Sequence, residues 1–252
     1  MNDQVVNLKN SFNDLTPDEM SEPVKHLVLL LHGILSKSDG WVVTDMAVSG
    51  RFHGLEVTVV PISYQLTYPW DLFTKKAEIK SRLVVERINH AIILTPHDVL
   101  SVHCHSYGTK IFSWLPEALR TSFDWIFFAG SICHENDDRL FEKHTNRIVN
   151  DCGKRDIFPI IAEALNSKIY SQTGVYGFHN PPFFDRFFQY GHSGATSTDH
   201  FKEWILPVLT TGKIAVVEAP CPRWVLHAPD ILRCASRIFL LSFLVLAGLI
   251  LT

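Results

Sequence analysis

Apolar residues in this chain fall into two patterns. Short runs rich in apolar residues occur at residues 26–31 (HLVLLL), 56–62 (EVTVVPI), 98–103 (DVLSVH), 125–129 (WIFFA), 147–150 (RIVN) and 174–178 (GVYGF). Their length predicts strands, and the continuous first run predicts one buried on both faces. Between them, residues 73–91 place Ile79, Leu83, Val84, Ile88 and Ala91 at helical spacing, and residues 107–119 do the same with Ile111, Phe112 and Leu115. Further helices are predicted over 41–49, 157–165 and 199–209. Strands alternating with helices imply an α/β fold, a mostly parallel sheet covered by helices on both faces.

Two stretches depart from this alternation. Residues 178–194 (FHNPPFFDRFFQYGHSG) are aromatic-rich and contain a Pro pair, which predicts an irregular loop. Within it Phe183, Phe184, Phe187 and Phe188 are spaced like a helical stripe. From Ile238 to Thr252 every residue is apolar or small, with Arg233 and Arg237 just before. A helix of that run is about 22 Å long, short of the roughly 30 Å hydrocarbon core. Starting it at Ala235, with Arg237 snorkelling, narrows the gap. The expected organisation is a polar lead (1–24), one catalytic-sized domain (25–217), a Pro-rich linker (218–234) and a hydrophobic membrane tail (235–252). Residues 1–23 lack the basic start and apolar run of a secretory signal, so the domain is expected on the cytoplasmic side, with the two arginines.

Composition narrows the function classes. At 46% hydrophobic and 19% charged, 252 residues can build one buried core, and the chain is not disordered. A net charge of −3 without basic runs argues against nucleic-acid binding. The five cysteines, Cys104, Cys133, Cys152, Cys221 and Cys234, form no CxxC pair, so neither a zinc site nor a disulfide framework is indicated.

The chemistry concentrates in residues 101–110 (SVHCHSYGTK). A buried strand ends, Cys104-His105-Ser106-Tyr107-Gly108 follows, and a helix begins. A serine on so sharp a turn projects its hydroxyl above the sheet, and Gly108 lets the helix approach the strand. The bland reading is a serine that caps the helix. The segment resembles the nucleophile elbow of α/β-hydrolases, G-x-S-x-G, with Cys104 in place of the first glycine. Three further segments share the likeness. His32-Gly33 follows the first strand, where the family's loop supplies an oxyanion N–H. The stretch NRIVNDCGKRDIFP (146–159) resembles its acid loop, and GHSG (191–194) its histidine loop.

The resemblance implies an α/β-hydrolase-like domain without a large cap, since few residues separate the fourth and fifth strands. It implies Ser106 as nucleophile, Asp156 as orienting acid and His192 as base. Asp151 remains a rival acid, and His179 and His200 remain rival bases. The oxyanion donors would be the N–H of Tyr107 and of Ile34 or Leu35, with His32, Gly33, His105 and Gly108 as motif residues. The implied activity is hydrolysis of a carboxylic ester, a lipid ester or thioester included, with no metal and no cofactor. The four phenylalanines of the histidine loop would cover the site. An inactive α/β-hydrolase fold serving as a membrane-bound interaction module is the alternative.

Overall fold

The computed structural model describes residues 22–33, 49–52, 54–64, 76–115, 121–134, 145 and 147–220. All but residue 49 of the expected helix over 41–49, most of the polar lead, and the tail lie outside them. Seven strands form one sheet: β1 (Val24–Leu31), β2 (Gly50–Phe52), β3 (Leu55–Ile62), β4 (Val99–His105), β5 (Trp125–Ala129), β6 (Ile148–Gly153) and β7 (Phe183–Phe188). Their spatial order is β2-β3-β1-β4-β5-β6-β7. β2 runs antiparallel to β3, and every other pairing is parallel. Helices are α1 (Lys76–Leu94), α2 (Tyr107–Ser113), α3 (Phe158–Leu165), the short α4 (Thr173–Tyr176), and α5. The last comprises the contiguous segments Thr198–His200, a π-helical Phe201–Ile205, and Leu206–Thr211.

Period-two alternation within the buried runs sorts their side chains between two cores. Leu27, Leu29 and Leu31 of β1 pack with Val84 and Ile88 of α1 and Ile111 and Phe112 of α2. Val28 and Leu30 face the other way, with Phe127 of β5 and Phe201, Ile205 and Val208 of α5. Helices therefore cover both faces, as the unbroken apolar runs require. This is an α/β-hydrolase-like sheet, with only residues 130–147 between β5 and β6.

The expected strand over 174–178 is the helical turn α4 instead. Gly174 lies so close to the β5 turn that an added Cβ would sit 2.3 Å from the Ser131 nitrogen, and its N–H donates to the Ser131 carbonyl. The edge strand comes later, from the segment expected to be an irregular loop. Phe183, Phe184, Phe187 and Phe188 belong to β7, so they are no apolar cover over the site. Their spacing mimics a helix because the two residues between them, Asp185 and Arg186, are polar yet serve the sheet: they pair in register with Asn150 and Asp151. Bounds also move: β4 runs on to His105, β6 extends through Asp151 to Gly153, α1 runs from Lys76 to Leu94, and α2 ends at Ser113, with residues 116–119 of the expected helix outside the described residues.

α2 lies directly against the end of β1. A Cβ on Gly108 would be 2.6 Å from the Leu31 carbonyl oxygen and 2.7 Å from that of His32. Both obstacles are backbone, so no side chain can swing away. Gly108→Ala is expected to cost roughly 1–3 kcal/mol, as overpacking does. That lowers Tm by about 2–4 °C per kcal/mol in a domain of this size. A thermal melt checks it, and an unchanged Tm would mean that α2 sits further from β1.

Candidate active site

β4 ends at His105 and α2 begins at Tyr107, so Ser106 alone makes the turn. It does so at φ 54° and ψ −122°, a conformation that side chains other than glycine seldom adopt. Such a residue typically stores about 1–3 kcal/mol of strain, held in place by its surroundings. Those surroundings are visible. The Ser106 N–H donates to the Ala129 carbonyl (2.8 Å), and the Ser106 carbonyl accepts from Thr109 N–H (2.9 Å) and Thr109 Oγ1 (2.6 Å). Gly33 passes over the turn, where an added Cβ would lie 2.8 Å from Ser106 Cβ. His32 stacks on Tyr64 (centroids 4.0 Å apart, 7° between planes), and the Tyr64 hydroxyl donates to the His32 carbonyl. His32 and Gly33, beyond the end of β1, are thereby pinned over the turn. Ile34 and Leu35 themselves lie outside the described residues.

Two loops beyond the carboxyl ends of β6 and β7 meet this serine. His192 Nε2 is 2.9 Å from Ser106 Oγ, and His192 Nδ1 is 2.8 Å from Asp156 Oδ2. The Asp156 side chain is buried, while His192 is partly open. Asp156 also accepts the Phe158 N–H on Oδ1 (2.9 Å), so it serves the start of α3 and His192 together. Gly130, at φ 56°, fits where a Cβ would be 3.0 Å from Asp156 Oδ2 and 3.2 Å from the His192 ring. Lys154 N–H donates to the Phe188 carbonyl (2.8 Å) and Arg155 N–H to that of Tyr190 (3.1 Å), which ties the two loops together. His105 Nε2 lies 2.9 Å from the His192 carbonyl. Burial pushes the His105 imidazole down to about 3, so it stays neutral and donates that bond from Nε2.

The rival residues are engaged elsewhere. Asp151 is fully buried within β6, where Arg186 of β7 grips both its oxygens (2.6 and 2.8 Å). His200 Nε2 adds a contact at 2.9 Å, which occupies that histidine too. Burial, the strongest influence on the Asp151 carboxyl, would raise it; the Arg186 charge and the His200 contacts overcome this and hold it at about 2. His179 is exposed, its N–H donating to Asp185 Oδ2 and its ring beside Phe187. Tyr107 opens α2, so its backbone N–H belongs to the first turn beside the serine.

Three contributors lay beyond sequence reasoning. Arg186 looked like a loop charge, and only its β7 register with Asp151 shows its purpose. Tyr190 fills the space between Gly153 and Gly194, where an added Cβ would meet it at 2.9 and 2.2 Å; the GHSG glycines were the available hint. Phe158 lies against the His192 ring, with centroids 4.5 Å apart. Among the described residues no group of histidine, cysteine or acidic side chains is arranged to hold a metal ion.

No family model matches the chain, and no curated protein matches it. Solved structures do show likeness. One is described under "LipS and LipT, two metagenome-derived lipolytic enzymes", with 12% identity and a TM-score of 0.48 over 76% of this chain and 94% of that one. Esterase PE8 is similar at 16% identity and a TM-score of 0.47, covering 72% and 90%. A cutinase-like protein from Cryptococcus sp. is similar at 15% identity and a TM-score of 0.39, covering 77% and 98%.

The buried histidines make stability depend on acidity. Burial holds His26 at about 4, and His103 and His105 at about 3, all below the 6.5 of a free imidazole. The unfolded chain therefore binds more protons below pH 6.5. Their contribution to stability is complete above that pH and is lost as pH falls toward 3–4. The slope approaches about 1.4 kcal/mol per pH unit for each histidine. Asp151, also depressed, acts in the same direction below about pH 4. Urea midpoints are expected to be level between about pH 7 and 8 and to fall steadily from pH 6 to 4. A constant midpoint across that range would contradict the burial of these rings.

Proposed function

We propose that the chain is a serine hydrolase that cleaves a carboxylic ester through an acyl-enzyme. The observation that carries this reading is the continuous relay from Ser106 Oγ through His192 to a buried Asp156, at 2.9 and 2.8 Å. A serine hydroxyl attacks poorly until a base takes its proton during attack. His192 Nε2 is within reach of that proton. Asp156, accepting from Nδ1–H, selects the tautomer with a free Nε2 lone pair and stabilises the imidazolium that forms.

The steps follow from these positions. Ser106 Oγ bonds to the acyl carbon while its proton passes to His192 Nε2. The tetrahedral oxyanion is met by the Tyr107 N–H, with a second donor assigned to Ile34 or Leu35 by resemblance to α/β-hydrolases. The bond to the alcohol or thiol then breaks, and His192 returns the proton to the departing oxygen or sulfur. Water repeats the sequence on the acyl-enzyme and releases the acid. The elbow, acid loop and histidine loop resemble those of α/β-hydrolases, and a carboxylic ester is the substrate class proposed for them here.

Membrane attachment through residues 235–252 is part of the proposal. It rests on the uncharged run after Arg233 and Arg237 in the sequence. Among the described residues no helix is long and apolar enough to cross a membrane. Such an attachment, with the domain on the cytoplasmic side, would bring the site to lipid esters.

Replacement of Ser106 or His192 by alanine is expected to lower kcat on a reactive aryl ester by about four to six orders of magnitude, and Asp156→Asn by about four. Asp151→Asn is expected instead to destabilise the fold by about 3–5 kcal/mol, since it leaves Arg186 buried without its counter-charge. Steady-state kinetics with urea denaturation separates the two roles. Full kcat in Ser106→Ala would overturn the proposal. For the tail, the full chain is expected to float with liposomes and a chain lacking residues 231–252 to stay behind; equal flotation would contradict membrane attachment.

A further inference from the structure

Whatever departs from the acyl carbon takes its proton from His192 Nε2. Its oxygen or sulfur must then lie within hydrogen-bond distance of that nitrogen, and its next few atoms must lie near the imidazole. Phe158 lies beside that imidazole. Its ring stands 4.5 Å from the His192 ring at 34° between planes. It is 54% exposed, and Ile157 before it is 38% exposed. Helix α3 buries Pro159, Ile160 and Ala162, so Phe158 is not the residue that docks it. The Phe158 N–H donates to Asp156 Oδ1, so the residue is held at a fixed place relative to the acid. An aromatic ring beside the proposed proton donor, more than half open to solvent, is suited to contact a substrate group that covers it.

We propose that Phe158, assisted by Ile157, recognises the leaving group, and that the substrate is an ester or thioester of an apolar alcohol or thiol several carbons long. The inference rests on the reading of Ser106, His192 and Asp156 as the catalytic relay. The occupant is the leaving group, because it is the departing atom that His192 must reach. In the reaction the Ser106 Oγ–acyl bond forms, the acyl–oxygen or acyl–sulfur bond breaks, and the serine proton leaves on the alcohol or thiol. Contact with Phe158 holds that departing chain beside Nε2 while the proton crosses.

The test holds the acyl group constant and varies the alcohol. The full chain is assayed for kcat/KM on methyl and n-hexyl butanoate, as wild type, Phe158→Ser, Phe158→Leu, Ile157→Ser and Ser106→Ala. Wild type is expected to prefer the hexyl ester by about tenfold or more, the scale set by burying a few methylenes. Phe158→Ser is expected to cut the hexyl-to-methyl ratio by about tenfold, and Ile157→Ser by a smaller factor. Phe158→Leu, still apolar, is expected to keep most of the preference. Ser106-dependent turnover with a ratio that Phe158→Ser leaves unchanged would overturn this inference alone. Turnover that survives in Ser106→Ala, or none in folded wild type, would overturn the catalytic reading and the inference with it.

Discussion

The site depends on one tight constraint, the turn at Ser106. A buried strand must stop, reverse into a helix within one residue, and keep that helix against β1. The backbone obliges only at positive φ, a strained state for serine, and only with glycine at position 108. The strain is held by hydrogen bonds from both sides, to the Ala129 carbonyl of β5 and from Thr109 of α2. The hydroxyl is then fixed at the carboxyl edge of the sheet, where open α/β sheets place their ligands. Relaxing the turn would move the Ser106 hydroxyl away from His192.

His192 and Asp156 arrive on loops, which are otherwise the least rigid parts of a fold. Here they are braced. Backbone bonds join the acid loop to the histidine loop, Tyr190 fills the gap between Gly153 and Gly194, and His105 holds the His192 carbonyl from the nucleophile's own strand. Beneath them, Asp151, Arg186 and His200 link β6, β7 and α5 in a buried ionic cluster. Breaking such a cluster is costly because it strands a charge without solvent. The two buried acids thus divide their work by environment. Asp151 holds the sheet edge to the helix, and Asp156 faces the partly open imidazole.

β1 and β5 are buried and apolar along most of their length, and their runs declare them; β3 was legible from its alternation of buried and half-buried positions, and β4 from its apolar positions although Ser101 and His103 are buried within it. β7 was hidden because an ion pair and an amide contact satisfy Asp185 and Arg186 inside the sheet, so a buried strand carries a polar centre. The same pairing explains why local sequence left Asp151 and Asp156 as competitors: the partner that decides between them, Arg186, lies 35 residues beyond Asp151. The order of serine, acid and histidine narrowed the candidates, and of His179, His192 and His200 it is His192 that lies within hydrogen-bond distance of Ser106. Phe158 offered no signal, since an aromatic residue at a helix start says nothing about the ring it will face.

The central claim is that Ser106 is an activated nucleophile. The most direct measurement is reaction of the folded full chain with a fluorophosphonate, followed by peptide mass spectrometry to locate the adduct. The account predicts a single adduct on Ser106, absent in His192→Ala over the same time. A folded protein that stays unlabelled, or one that carries the adduct on another residue, would contradict it.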